Sequence, residues 1–223
     1  MDEIIIFDVN ETLLDLGALD GHFERVFGDA GVRTEWFETM IQSALLGIVT
    51  ETYHDFGAVA KGALESTAAR KNVTLTDEDE STILGQIRKL PPHPDVAEGL
   101  ALLQNAGMRL ATLTNSTLAV AQAQLEYAGL TGYFERILSA DTVRRLKPAA
   151  EPYQHAAAEL GVPTSNLRLV AAHAWDIAGA RRAGCKTAFV ARPGKVLDPL
   201  ALQPEMVGED VLAVARKLLT LTG

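Results

Sequence analysis

What most constrains the fold of this chain is a rhythm of short apolar run, helical stretch and glycine, repeated in that order through its second half. Apolar, largely β-branched or aliphatic runs occupy residues 3–9, 109–114, 137–140, 167–172 and 187–191. Runs this short and this uniformly apolar suit strands of a parallel sheet buried on both faces. Helical patterns lie between and beyond them, at residues 94–106, 118–128, 151–160, 177–183 and 210–221. Gly107, Gly129, Gly161 and Gly184 stand where a helix needs a left-handed terminating residue. The alternation predicts an α/β fold built on a doubly wound parallel sheet.

Residues 16–90 break the rhythm. They show helical periodicity and no convincing strand, with helices expected at 20–30, 34–49, 54–70 and 76–90. Thr34 and Thr76 are the expected caps of the second and fourth, since a hydroxyl can accept from the free N–H groups of the first turn. Asp77, Glu78 and Asp79 would then sit at the positive end of the helix dipole. Pro91, Pro92 and Pro94 mark the return, because proline resists helix continuation. The expected organisation is a core domain of residues 1–15 and 91–223 with an α-helical cap, residues 16–90, inserted after the first strand.

Composition excludes several roles. Apolar residues are 48% of the 223 and charged residues 22%, which allows a sizeable core and argues against disorder. A formal net charge of −9 disfavours a nucleic-acid partner, because phosphate binding needs surplus Lys and Arg. The single cysteine, Cys185, rules out an internal disulfide and reads as a small buried residue in a reducing compartment. Met1, Asp2 and Glu3 open no secretory pattern, and no apolar stretch approaches the ~20 residues of a membrane span. A cytoplasmic location and no membrane partner are expected. His22, His54, His93 and His155 lack metal-ligand spacing, so no metal is expected.

Ligands of an open parallel sheet bind beyond the carboxyl ends of its strands, where strand order reverses. Asp8 ends the run Ile4-Ile5-Ile6-Phe7, a place where a carboxylate is costly unless paired. Thr114, Asn115 and Ser116 end the second strand, Lys147 and Pro148 follow the third, and His173, Trp175 and Asp176 follow the fourth. Each has a bland reading taken singly: turn aspartate, helix cap, loop lysine. Four strand ends offering carboxylate, hydroxyl and amide, ammonium, and imidazole with carboxylate are hard to ascribe to folding alone.

In order, Asp8-x-Asn10-x-Thr12, Thr114-Asn115, Lys147-Pro148 and Trp175-Asp176 resemble the haloacid dehalogenase superfamily, with its Rossmann-like core and inserted cap. Tyr153, six residues after Lys147, and the cap residues Trp36, Tyr53 and Phe56 make the L-2-haloacid dehalogenase branch the most similar. The resemblance implies that Asp8 attacks the halogen-bearing carbon of a short 2-halo acid, expelling halide, and that water hydrolyses the resulting aspartyl ester to a 2-hydroxy acid. It implies that Thr12 bonds near the nucleophile, that Lys147 holds Asp8 ionised, and that Asp176 positions Lys147 and the water. Asn10, Glu11, Phe37, Thr114, Asn115, Tyr153, His173 and Trp175 are the implied substrate-site residues. Thr114 would receive the substrate carboxylate, Asn115 would assist the halide, Tyr153 would support the lysine side, and Trp175 would form an apolar wall. No cofactor is required in that branch, and a homodimer is expected, with Ile41, Leu45, Leu46 and Ile48 as its apolar surface.

Three positions depart from the pattern. Phe37 stands where the dehalogenases carry a halide-gripping arginine, with Arg33 one turn earlier as a replacement. His173 follows Ala171-Ala172 where two serines and an asparagine are usual, and Glu11 occupies a site where glycine is common and is expected to point away. The alternatives are a Mg²⁺-dependent phosphatase of the same fold and a degenerate binding protein. The phosphatase is disfavoured because Asn10 cannot protonate a leaving group and Ala172 removes a metal-binding carboxylate.

Overall fold

Strands β1 (Ile4–Phe7), β2 (Arg109–Thr114), β3 (Arg136–Ser139), β4 (Leu167–Ala171), β5 (Lys186–Val190) and β6 (Met206–Gly208) form one sheet in the computed structural model, which describes residues 3–220. All pairings are parallel, in the order β3-β2-β1-β4-β5-β6. β1 is central: Phe7 is level with Thr112 of β2 and with Val170 of β4. Chain order reverses between β1 and β4, so the residue after Phe7 stands at the switch point.

Alternate residues of β1 serve opposite faces. Ile5 and Phe7 join the cluster containing Leu100 and Leu103 of α5 (Val96–Asn105) and Val214 and Leu218 of α9 (Val211–Thr220). Ile4 and Ile6 join Tyr153, Ala156 and Leu160 of α7 (Ala150–Leu160) and Ile177 and Ala180 of α8 (Ala174–Arg182). α6 (Leu118–Tyr127) follows β2. Gly107, Gly129, Gly161 and Gly184 all take positive φ, as the helix–glycine pattern anticipates.

Residues 16–90 carry α1 (Asp20–Phe27), α2 (Val32–Val49), α3 (Phe56–Lys71), α4 (Asp77–Gln86) and short 3-10 turns, with no strand. The outgoing and returning linkers bond to each other, Asp15 N to Pro91 O at 2.8 Å and His93 N to Leu13 O at 2.9 Å. The first core cluster runs without a break from Phe7 into Phe23, Trp36, Phe56 and Leu64 of these helices. Thr76 caps α4 by accepting from Asp79 N at 3.1 Å.

Several boundaries differ from the sequence expectation. Thr34 lies inside α2 and caps nothing, because the helix begins two residues earlier and the preceding turn takes its first N–H groups: Val32 N, Arg33 N and Thr34 N donate to the carbonyls of Asp29, Ala30 and Gly31 at 3.3, 3.1 and 3.0 Å. α1 stops at Phe27, where Gly28 turns left-handed at φ 72°. α8 starts three residues before the expected position, drawing Asp176 into its first turn. β6 was not anticipated; three residues with Val207 exposed at the sheet edge carry no alternation to read. Leu221, the last residue of the expected closing helix, and the outermost expected core residues 1–2 and 221–223 lie outside the described residues. Of the four apolar residues assigned to the cap surface, Ile41 and Ile48 pack against the core cluster. Leu45 and Leu46 are exposed, and Val49 joins them.

Candidate active site

Asp8 extends β1 by one residue, its N–H bonded to Val170 O at 3.0 Å, and its carboxylate lies at the sheet's carboxyl edge. Lys147 reaches it from the loop after β3: Nζ donates to Asp8 Oδ1 at 3.0 Å, Asp176 Oδ2 at 2.5 Å and Leu113 O at 2.8 Å. All three ammonium hydrogens have acceptors, and the side chain is fully buried. Asn115 fixes the lysine backbone, its Oδ1 accepting from Lys147 N at 2.7 Å and its Nδ2 donating to Lys147 O at 3.2 Å. One amide hydrogen of Asn115 is left for the cavity it lines.

Asp176 takes Lys147 on one oxygen and the Tyr153 hydroxyl on the other at 2.5 Å. Tyr153 therefore sits behind Asp176 and is not among the residues lining the cavity before Asp8. Gly179, one turn beyond Asp176, leaves no room for a side chain; an added Cβ would lie 2.5 Å from Pro148 Cβ and 2.7 Å from the Tyr153 hydroxyl. The other oxygen of Asp8 accepts from Thr12 Oγ1 at 2.7 Å, and that hydroxyl accepts from Ala172 N at 2.9 Å.

A second set of charges faces Asp8 across the site. His173 Nδ1 lies 3.2 Å from Asp8 Oδ2 and its Nε2 lies 2.9 Å from Glu11 Oε2. Lys195 Nζ donates to the same Glu11 oxygen at 2.6 Å, while Arg33 approaches the other at 3.7 Å. The imidazole is stacked between Phe37, 5.5 Å away, and Trp175, 5.0 Å away.

Burial alone would raise the Asp8 pKa; the Lys147 charge, with His173 and Thr12, outweighs it and holds Asp8 well below the usual carboxylate range. Burial would neutralise Lys147, but Asp176 and Asp8 keep its pKa above the ordinary lysine value. For Asp176, burial and the Asp8 charge push upward against Lys147. Burial opposes protonation of His173, yet its bonds to Asp8 and Glu11 raise its pKa. Glu11, in turn, is desolvated but is brought to about 2 by His173 and Lys195.

The cavity before Asp8 is about 10 Å³, lined by Asp8, Asn10, Phe37, Ile41, Phe56, Thr114, Asn115, His173 and Trp175. That is room for about one water. His173 is the one basic side chain in this lining. Arg33 is taken up by Asp20, at 2.5 Å, and by Glu11, and does not reach the cavity. Asn10 lines it, with its Oδ1 accepting from Gln124 at 2.9 Å.

Glu11 does not simply point away. Its φ of 60° shows why a glycine suits this turn, since a left-handed L-residue costs roughly 1–2 kcal/mol. The ion pairs of its side chain offset that strain. Lys195 and Arg192 were not singled out as site residues. Arg192 donates to Thr12 O at 2.8 and 3.1 Å and pairs with Asp95, pinning the loop that carries Asp8 and Thr12. Both follow a strand end, the only signal in sequence, and neither lies in a distinctive motif.

Among the described residues no group of three His, Cys, Asp or Glu side chains is arranged to hold a metal ion. The space between Asp8 and Asp176 is taken by an ammonium, a donor set that does not suit a hard cation needing oxygen ligands.

Residues 3–184 match a family described as haloacid dehalogenase-like hydrolase. The chain is similar to the (S)-2-haloacid dehalogenase of Pseudomonas sp. (strain YL), 28% identical over 221 residues, covering 98% of this chain and 95% of that protein. It is 30% identical over 213 residues to the (S)-2-haloacid dehalogenase of Xanthobacter autotrophicus, covering 93% and 80%. The solved structure of an L-2-haloacid dehalogenase superposes with a TM-score of 0.93 at 26% identity, covering 97% of this chain and 98% of that one.

Proposed function

The chain belongs to the haloacid dehalogenase-like hydrolases, and from that premise we propose that it hydrolyses the carbon–halogen bond of a 2-halo acid through an ester on Asp8. The observation that carries this reading is the Lys147 ammonium bridging Asp8 and Asp176 beneath a cavity that is otherwise largely apolar. It keeps a buried carboxylate ionised with an oxygen facing the cavity, as a nucleophile requires. The two named (S)-2-haloacid dehalogenases to which the chain is similar over most of its length support the substrate class.

An Asp8 oxygen attacks C2, the C–O bond forming as the carbon–halogen bond breaks and the halide leaves with the bonding pair. Thr114 and the remaining Asn115 hydrogen bind the substrate carboxylate and the halide, and Trp175 walls the carbon chain. Phe37 supplies no cation; His173, whose protonated form Asp8 and Glu11 favour in the free site, takes that role for the developing anion. Once Asp8 is an ester its charge is gone, and His173 loses the partner that held its proton most directly. The imidazolium releases that proton to solvent, keeps Nε2–H on Glu11, and presents Nδ1 to a water attacking the ester carbonyl. One water proton restores the imidazolium, the ester C–O bond breaks, and the other passes from the re-formed Asp8 carboxyl to the departing alkoxide, which releases the 2-hydroxy acid and leaves Asp8 as a carboxylate. One proton per turnover leaves to solvent, as the overall reaction demands. Asp176 and Tyr153 hold Lys147 and do not touch substrate.

Chloroacetate, 2-chloropropionate, fluoroacetate and p-nitrophenyl phosphate, each with and without Mg²⁺, test the reading. Halide release without metal, lost in Asp8→Asn, is expected. Phosphate release that needs Mg²⁺, with no halide from any acid, would overturn it.

The proposed partner is a second copy of the chain, pairing through Leu45, Leu46 and Val49 of α2, the last of them 80% exposed. Sedimentation should give twice the chain mass for the wild type and a smaller species for Leu46→Lys; a single-chain mass for both argues against pairing. Among the described residues no helix is long and apolar enough to cross a membrane.

A further inference from the structure

A second, far larger cavity of about 300 Å³ lies between the inserted helices and α6. It shares Asn10, Phe37 and Phe56 with the small cavity before Asp8. Most of its wall is apolar: Leu16, Trp36, Met40, Leu84, Ile87 and Val120. Its two charged lining residues, Asp55 and Arg88, are solvent-accessible rather than buried.

The volumes decide what this arrangement accepts. About 10 Å³ before Asp8 holds one water and no organic acid. Thr114, Asn115, His173 and Trp175 line that space alone, whereas Asn10, Phe37 and Phe56 line the large cavity as well, so the shared residues mark where the space can grow. Phe37 and Phe56, with Asn10, line both cavities, so displacement of either phenyl would join them. An acid lying with C2 before Asp8 would then project its remaining carbons into the large chamber. A halo-acetate has no such carbons and would leave the chamber empty.

We propose that the chamber is a tail pocket and that the preferred substrates are 2-halo acids bearing a longer apolar chain. The choice of substrate class rests on the reading of Asp8 as a dehalogenating nucleophile; the apolar chamber itself does not. Each methylene moved from water into such a wall favours binding by roughly fourfold.

Bromide release by the wild-type protein is to be followed with bromoacetate, 2-bromobutyrate, 2-bromohexanoate and 2-bromooctanoate, alongside calorimetric binding of acetate and octanoate. The expected result is kcat/KM rising severalfold per added methylene up to the length that fills the chamber, and octanoate binding where acetate does not. Val120→Phe and, independently, Leu84→Phe should lower the 2-bromooctanoate to bromoacetate ratio of kcat/KM at least tenfold. Bromoacetate turned over as well as or better than the longer acids, or a ratio unmoved in both folded variants, overturns the tail pocket while leaving dehalogenation standing. Octanoate binding tightly with no bromide released from any acid keeps the pocket and overturns the dehalogenase reading.

Discussion

Lys147→Met is expected to destabilise the folded chain by about 3–5 kcal/mol and to abolish halide release. The methionine stem fills much of the same space, so the loss is electrostatic. Asp8 and Asp176 would remain buried, both facing the site vacated by the ammonium, with like charges and no counter-ion between them. In the wild type Asp8 has a depressed pKa, so it adds stability above its unfolded value and loses it as pH falls through the folded one. Without Lys147 burial dominates and the carboxyl pKa values rise. The sign then reverses: the variant is relatively most stable below the unfolded carboxylate pKa and weakens as pH climbs. Urea denaturation at acidic and neutral pH checks this, the wild-type to variant gap narrowing on acidification. A gap independent of pH would mean that the lysine contributes packing alone.

His173→Asn is expected to lower kcat/KM for halide release by roughly 10²–10³-fold, the usual loss when a donor to a developing anion is removed. The groups facing this imidazole are Asp8, Glu11 and the rings of Phe37 and Trp175, with Lys195 beyond Glu11. The two carboxylates raise its pKa above the ordinary histidine value. The charged form of His173 is thereby favoured, and that charge is lost as pH rises through the folded-state value. Wild-type kcat/KM should fall on that alkaline limb, and any stability from the pairing, complete below the unfolded histidine pKa, should fade over the same window. The limb should be absent in His173→Asn. Phe37→Arg in the same background returns a cation to the wall of the cavity and should recover at least tenfold. An unaltered alkaline limb, or a double variant no better than the single, removes His173 from the halide step.

The parts of this site that sequence exposed are those tied to local rules. A carboxylate ending an apolar run has few uses, and helix–glycine punctuation located the strands whose ends meet it. Lys147 was legible because a strand end placed it at the same edge as Asp8. Glu11, Lys195 and Arg192 were less so, because their significance lies in partners 162 to 184 positions away. Nothing local distinguishes such a lysine from a solvated one. Thr34 shows the opposite error: a sound cap residue lost its role because α2 begins two residues earlier, at Val32, so that Thr34 N itself bonds back to Gly31 O. Phe37 was identified as a missing cation, but its stacking on His173, and the chamber behind it, depend on how α2 and α3 pack over the sheet. Arg33 had the right charge and the wrong reach, since Asp20 and Glu11 hold it.

Covalent catalysis by Asp8 is tested most directly by one turnover in heavy-oxygen water, with enzyme in excess over 2-chloropropionate and the protein digested afterwards. Attack of water on the ester carbonyl leaves the heavy atom in the Asp8 carboxylate, and the first-turnover hydroxy acid carries ordinary oxygen from the protein. Heavy oxygen in that first product, with the Asp8 peptide unlabelled, would mean that water displaces the halide directly and that Asp8 is no nucleophile.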